Sequence, residues 1–260
     1  MRMKITCIQM DIEFGDPSKN KQVVEAEVTK AIKEHPDVIV LPELWTTGYD
    51  LSRLDEIADE NGLDSQQFLS ELARKYKVNI VGGSIAKKSS DGITNTMYFF
   101  DRNGRCVGEY SKVHLFKLMD EHHYLQAGNT KGLFTVDGAS CAGIICYDIR
   151  FPEWVRAHAV DGAEVIFVVA EWPLARVEHW RTILISRAIE NQCYIVASNR
   201  AGSDPKNEFA GHSMVINPWG DVLVEASKEP TQITATIDLD KVAQVRKQIP
   251  IFADRRTDLY

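Results

Sequence analysis

The stretch Cys141-Ala142-Gly143-Ile144-Ile145-Cys146-Tyr147-Asp148-Ile149-Arg150-Phe151-Pro152-Glu153-Trp154 decides how this chain of 260 residues is read. It opens with small and apolar residues, as a buried strand does, and Pro152 suits the first turn of a following helix, where its missing N–H costs nothing. Cys146 therefore falls where strand gives way to helix. A thiol in that position points past the sheet edge among backbone N–H groups, a placement that can activate a nucleophile and hold an oxyanion. Free cysteines are more commonly small buried hydrophobes, so partners elsewhere in the chain must decide.

Upstream, residues 4–11 have the pattern of a buried strand, and Asp16-Pro17-Ser18 opens a helical pattern carrying Val23, Val24, Val28, Ala31 and Ile32. Residues 37–41 form a second buried strand, which makes a βαβ unit with parallel pairing. Glu43 stands just beyond it, where open α/β sheets bind ligands, although capping or loop duty is the commoner role of such a glutamate. A helix with Phe68, Leu69, Leu72 and Ala73 on one face precedes a strand at 79–85. Residues 93–101 and 105–111 then form a hairpin around Asn103-Gly104. Lys112 ends that hairpin; a lysine so placed is usually a solvated surface cation.

Residues 117–131 lack periodicity and read as a long functional loop. Asp120, Glu121, His122 and His123 within it bear the ligand types of a metal site, but adjacent residues seldom converge on one ion and H-E-x-x-H is absent, so no metal is expected.

Downstream of Cys146 the pattern predicts a helix over 152–160, a core strand at 164–170, a long helix over 176–192 and a strand at 193–199. Strands at 212–217, 221–225 and 232–238, around the turn Asn217-Pro218-Trp219-Gly220, look antiparallel and hairpin-connected. No linker, repeat or low-complexity tract interrupts the chain. The expectation is one domain over 1–260 with an α/β (α+β) fold, a four-layer α-β-β-α sandwich with helices outside two face-packed sheets.

Composition narrows the partners. A net charge of −7 and a 44% hydrophobic content give no footprint for nucleic acid and ample material for a core. The first residues lack the apolar core of a signal peptide, and no run approaches the roughly 20 apolar residues of a membrane span. Five cysteines without a CxxC pair suit a reducing cytoplasm.

Taken in order, Leu41-Pro42-Glu43, Lys112-Val113-His114-Leu115-Phe116 and the Gly143–Glu153 segment around Cys146 resemble the nitrilase, or carbon–nitrogen hydrolase, superfamily. His179-Trp180, Arg187-Ala188-Ile189-Glu190-Asn191, Gly211-His212-Ser213 and Pro218-Trp219-Gly220 extend the resemblance over nearly the whole chain. The resemblance implies that Cys146 is the nucleophile, Glu43 the general base and Lys112 the cation beside the tetrahedral intermediate. It implies a second glutamate seven residues before a glycine, a spacing that Glu121 and Gly128 match, although Gln126-Ala127 stands where a proline commonly precedes that glycine. It also implies the α-β-β-α sandwich, no cofactor, and a homodimer or higher homo-oligomer.

The chemistry asks for these groups on its own account. An ordinary thiol is only a few per cent ionised at neutral pH, so a carboxylate must take its proton during attack. The oxyanion needs donors about 3 Å away, for which Lys112 and the Tyr147 N–H are the choices by analogy with the family. Tyr147, Trp172, Tyr124 and Phe116 are candidate substrate-binding residues, Trp172 first because it follows a strand end; Trp45 is a further aromatic of this kind, and each can equally be core packing. Asp148, Arg150 and Glu153 fit a buried ion pair under the elbow better than substrate binding. Cys7, Cys106, Cys141 and Cys193 lie inside strand patterns without a paired base.

Cys-Tyr-Asp-Ile-Arg-Phe resembles the omega-amidase branch, which implies hydrolysis of a small ω-amide of a 2-oxo dicarboxylic acid to acid and ammonia. A nitrilase, carbamoyl hydrolase or other amidase uses the same residues. A metal-dependent phosphoesterase and a non-catalytic binding protein are the alternatives from other classes.

Overall fold

The computed structural model describes residues 1–259; Tyr260, the last residue of the expected domain, lies outside the described residues. The first half of the chain runs β1 (Arg2–Gln9), α1 (Pro17–Ala31), β2 (Val38–Val40), α2 (Leu54–Ile57), β3 (Asp59–Glu60), α3 (Leu63–Tyr76), β4 (Asn79–Ser89), β5 (Gly92–Phe100), β6 (Cys106–Ser111) and α4 (Glu121–Tyr124). The second half runs β7 (Leu133–Val136), β8 (Ala139–Ile145), α5 (Pro152–Val160), β9 (Val165–Ala170), α6 (Val177–Asn191), β10 (Tyr194–Asn199), β11 (Met214–Ile216), β12 (Val222–Glu225), β13 (Thr231–Asp238) and α7 (Asp240–Gln248).

Local chemistry sets these boundaries. Asp16 caps α1 by accepting the Lys19 N–H at 2.9 Å, and Pro17 occupies the first turn. Gln192 ends α6 in the left-handed region. In β9 every residue of Val-Ile-Phe-Val-Val-Ala is buried, the composition of a central strand covered on both faces.

Two sheets result. The first has the order β13-β1-β2-β4-β5-β6, with β3 beside the end of β4; the second has the order β12-β11-β10-β9-β8-β7. Each holds a parallel centre, β1-β2-β4 in one and β8-β9-β10 in the other, so the carboxyl ends of these strands carry the loops that come next. One apolar cluster fills the space between the sheets, joining Ile5, Val40 and Phe99 to Ile144, Phe167 and Val196. A second, including Val24, Val28, Leu69 and Leu72, seats α1 and α3 on the outer face of the first sheet. Trp180, Leu184 and Val155 place α6 and α5 against the second sheet. Helices, two sheets and helices make the four-layer sandwich that the strand order and the resemblance implied. The sheets approach closely at Gly143, where a Cβ would stand 2.5 Å from Phe99 Cζ.

Several elements differ from the sequence reading. β13 does not join β11 and β12 in one hairpin set; it crosses to the other sheet and pairs antiparallel with β1, Met3 opposite Ile237. The expected loop at 117–131 contains a 3-10 turn at Lys117–Met119 and the one-turn α4. A 3-10 turn, Cys146–Arg150, separates β8 from α5. Among the described residues no helix is long and apolar enough to cross a membrane.

Candidate active site

Glu43 comes from the connection after β2, Lys112 and Glu121 from that between β6 and β7, and Cys146 from that after β8; they meet at one end of the sandwich, all buried. Glu43 follows β2, and its loop is pinned to β4 by the Leu44 N–H on Ser84 Oγ at 2.9 Å and the Trp45 N–H on the Ser84 carbonyl at 3.0 Å. Lys112 leaves β6 with its N–H on the Asn95 carbonyl at 2.8 Å, and its own carbonyl accepts the Gly128 N–H at 2.8 Å. The Lys112 ammonium then donates to Glu43 Oε1 at 2.8 Å and to Glu121 Oε1 at 2.6 Å. Glu121 opens α4 and is fixed through Oε2, which accepts the Phe116 N–H at 2.6 Å.

Cys146 sits at φ +47°, in the left-handed region that a side chain with a Cβ adopts only at a cost of about 1–2 kcal/mol. The surroundings hold it there. Asp148 Oδ2 accepts the Ile145 N–H at 3.0 Å and the Tyr110 hydroxyl at 2.6 Å, while Oδ1 accepts the His114 N–H at 2.9 Å and lies 2.8 Å from His114 Nδ1. The elbow thus rests on a hydrogen-bonded cluster. The expected ion pair among Asp148, Arg150 and Glu153 is not formed: Arg150 turns into the cavity and Glu153 is exposed.

Two residues that sequence reasoning passed over complete the arrangement. Tyr49 donates to Glu121 Oε1 at 2.6 Å and lies 3.2 Å from Glu43 Oε1; Asn95 Nδ2 donates to Glu43 Oε1 at 2.8 Å. Asn95 carried a signal, since a buried asparagine inside a strand demands a polar partner.

One cation serves two carboxylates in a dry site. Burial opposes the Lys112 charge, but Glu121 and Glu43 together hold its pKa well above the ordinary lysine value. Burial pushes Glu121 up, and Lys112 opposes that shift less than burial and Glu43 drive it. Burial, followed by the nearby Glu43 charge, puts the Cys146 thiol well above its ordinary value. The Cys146 side chain therefore rests as a neutral thiol near Glu43. The expected ultraviolet difference spectrum between wild type and Cys146→Ala shows no thiolate band at neutral pH and gains one only in strong alkali. A plateau of thiolate near neutrality would contradict this ground state.

Cys146, Tyr147, Phe116 and Trp172 line one narrow cavity. Tyr124 is not among them. Its ring is 43% exposed and borders a separate, wider cavity with Phe14, Asp50 and Leu118. Trp45 is fully buried in the packing of α3, its ring 6.0 Å from Phe68. Arg176 and Glu171 also border the Cys146 cavity. Burial pushes Glu171 up to about 8, against the pull of Arg200. Cys7, Cys141 and Cys193 are buried and driven up to about 12 by desolvation, and Cys106 is exposed. His122 and His123 lie on the surface with tilted rings, centroids 3.8 Å apart.

A model of the carbon-nitrogen hydrolase family matches residues 4–247. The chain is 54% identical over 260 residues to a 2-oxoglutaramate amidase of Bacillus subtilis (strain 168), covering all of both chains. It is 34% identical over 242 residues to an omega-amidase of Bos taurus, covering 90% of this chain and 88% of that one. Among solved structures, a CN-hydrolase superfamily protein from Xanthomonas campestris superposes with a TM-score of 0.92 at 28% identity, covering 99% of this chain and 98% of the other.

Proposed function

This chain belongs to the carbon–nitrogen hydrolase family and is a hydrolase of carbon–nitrogen bonds other than peptide bonds, and from that premise we propose that it hydrolyses the ω-amide of a small 2-oxo dicarboxylic acid, 2-oxoglutaramate or a near relative, to the acid and ammonia. The observation that carries the substrate class is the pair Arg150 and Arg176 in the Cys146 cavity. Neither has a carboxylate within ion-pair reach among the described residues; Arg150 lies over the Trp172 ring at 4.5 Å and Arg176 over Phe116 at 5.5 Å. Burial, then the neighbouring Arg176 charge, lowers the Arg150 pKa. Two cations that repel each other beside the rings of Trp172 and Phe116 are complementary to an anion, and a carboxylate matches the planar guanidinium fork. The relatives that act on 2-oxoglutaramate agree with that class.

In the proposed reaction, Sγ of Cys146 attacks the amide carbon while Glu43 takes the thiol proton. The oxyanion is held by the Lys112 ammonium and the Tyr147 N–H. Collapse breaks the C–N bond, and Glu43 returns its proton to the nitrogen, which leaves as ammonia. Glu43 then deprotonates a water that attacks the thioester, releasing the acid and restoring the thiol. Glu121 and Tyr49 hold Lys112 and Glu43 in register throughout. A homodimer through the outer face of α6 and the adjoining β11–β12 turn, where Ile189 and Trp219 are exposed, and a cytoplasmic location that keeps five thiols free belong to the same reading.

Ammonia release from 2-oxoglutaramate is the test, and its absence would remove the substrate assignment. Arg150→Gln/Arg176→Gln is expected to raise KM for this anionic amide by at least about 100-fold, since each hydrogen bond to a charged group is worth roughly 1.5–3 kcal/mol. An uncharged aliphatic amide should change little. Equal losses on both substrates would show that the arginines shape the cavity and do not read charge.

A further inference from the structure

Glu171 has no part in the acyl and proton transfers proposed above, yet it borders the same cavity as Cys146. It is the first residue after β9, and its backbone N–H donates to Glu43 Oε2 at 2.8 Å, which fixes residue 171 against the base. Its side chain is wholly buried. Oε2 accepts from Arg200 Nη1 at 2.7 Å. Arg200 is equally buried and is locked by the carbonyls of Ile12 at 2.6 Å and Ser203 at 3.0 Å and by Asp11 Oδ1 at 3.3 Å. The deep ion pair therefore sets the orientation of the carboxylate. The other oxygen, Oε1, has no hydrogen-bond partner, and among the described residues lining this cavity it is the one buried side-chain oxygen left so. A buried carboxylate oxygen without a donor is costly, so this atom is suited to an N–H or O–H that arrives with a ligand.

A primary amide brings two N–H donors, and both need acceptors once they leave water. Glu43 can receive one as it prepares to protonate the leaving nitrogen. None of the four residues assigned to the chemistry is free for the second. We propose that Glu171 Oε1 accepts this second amide N–H, which makes Glu171 a specificity-determining residue that selects primary amides over esters, nitriles and N-substituted amides. The inference rests on Cys146 being the acyl-forming nucleophile. As the C–N bond breaks, the nitrogen gains the proton held by Glu43 and its N–H bonds become stronger donors, so a fixed carboxylate beside it stabilises the transition state more than the bound amide. Burial pushes Glu171 up to about 8 against the pull of Arg200 Nη1 at 2.7 Å, so the accepting carboxylate is the form that prevails above that pH, and the preference for amides is expected to grow as pH rises through it.

The test compares a dicarboxylic acid monoamide with the monomethyl ester of the same acid, which differ only at the leaving group. Removing Glu171 alone strands the Arg200 charge, so the main variant is Glu171→Met/Arg200→Met, an apolar replacement of a buried ion pair that proteins often tolerate. It is expected to lose about 10- to 100-fold in kcat/KM on the amide, mainly in kcat, and less than about 3-fold on the ester. Should the double variant not fold, Glu171→Gln gives the same amide-to-ester ratio at conserved volume. An equal loss on both substrates overturns the proposal and assigns Glu171 to packing. Failure of wild type on 2-oxoglutaramate with turnover of other monoamides overturns the substrate reading alone, because the ratio is then measured on those; turnover of no primary amide overturns both.

Discussion

Cys146→Ala is expected to abolish ammonia release, with a fall in kcat of about 10⁵-fold or more, the scale seen when a covalent nucleophile is deleted from a site whose other parts remain. The reason is geometric as well as chemical. The thiol lies close enough to Glu43 for that charge to raise its pKa, so the base has one proton to accept; without Sγ the base has nothing to activate until a water takes that place, and no thioester forms. Folding should survive, because alanine keeps the φ +47° strain that the Asp148 cluster already holds, and loses only a small buried group. The readout is ammonia together with mass spectrometry of wild type quenched during turnover, which should carry an acyl adduct on the Cys146 peptide. Undiminished ammonia release by the variant would remove Cys146 from the chemistry, and would reopen the metal-dependent and binding-protein readings.

Much of this site is legible in the sequence because it obeys one rule applied several times. Parallel strands deliver the residues after them to one end of their sheet, so Glu43 after β2 in one sheet and Cys146 after β8 in the other each stand at a carboxyl end, and the packing of the two sheets brings those ends together. The composition of a buried parallel strand makes those strands easy to find. The same rule applied to β9 picks out Trp172 and passes over Glu171, whose significance depends on Arg200 arriving after β10, a pairing that residue spacing does not reveal. Tyr124 fails for the opposite reason. It lies close in sequence to Glu121, but α4 is a single turn and its ring ends at the surface. β13 is recognisable as a strand facing water on one side, yet its alternation says nothing about its partner, and the structure pairs it with β1 at the far end of the chain.

Lys112→Met should cost stability as well as activity. In the wild type the ammonium lies 2.8 Å from Glu43 Oε1 and 2.6 Å from Glu121 Oε1, and all three side chains are 0% exposed. Removing one partner of a buried ion pair typically costs about 3–5 kcal/mol, which for a chain of this size corresponds to a fall in Tm on the order of 10 °C. Loss of an oxyanion donor adds about 10²- to 10³-fold in kcat. The pH dependence identifies the cause. Burial already raises Glu121 and Lys112 opposes that shift, so deleting the lysine raises it further. A carboxyl whose folded pKa exceeds its unfolded pKa gives stability that is complete below the unfolded value and is lost as pH rises through the folded one. The variant should therefore lie nearest to wild type in mild acid and fall away as the solution becomes alkaline. Lys112→Met/Glu121→Gln removes one of the stranded charges and should recover most of the stability at neutral pH while remaining inactive. A single variant as stable as wild type at about pH 8 would mean that the two carboxylates share a proton or a water in place of the cation, and the electrostatic account of this site would have to be replaced.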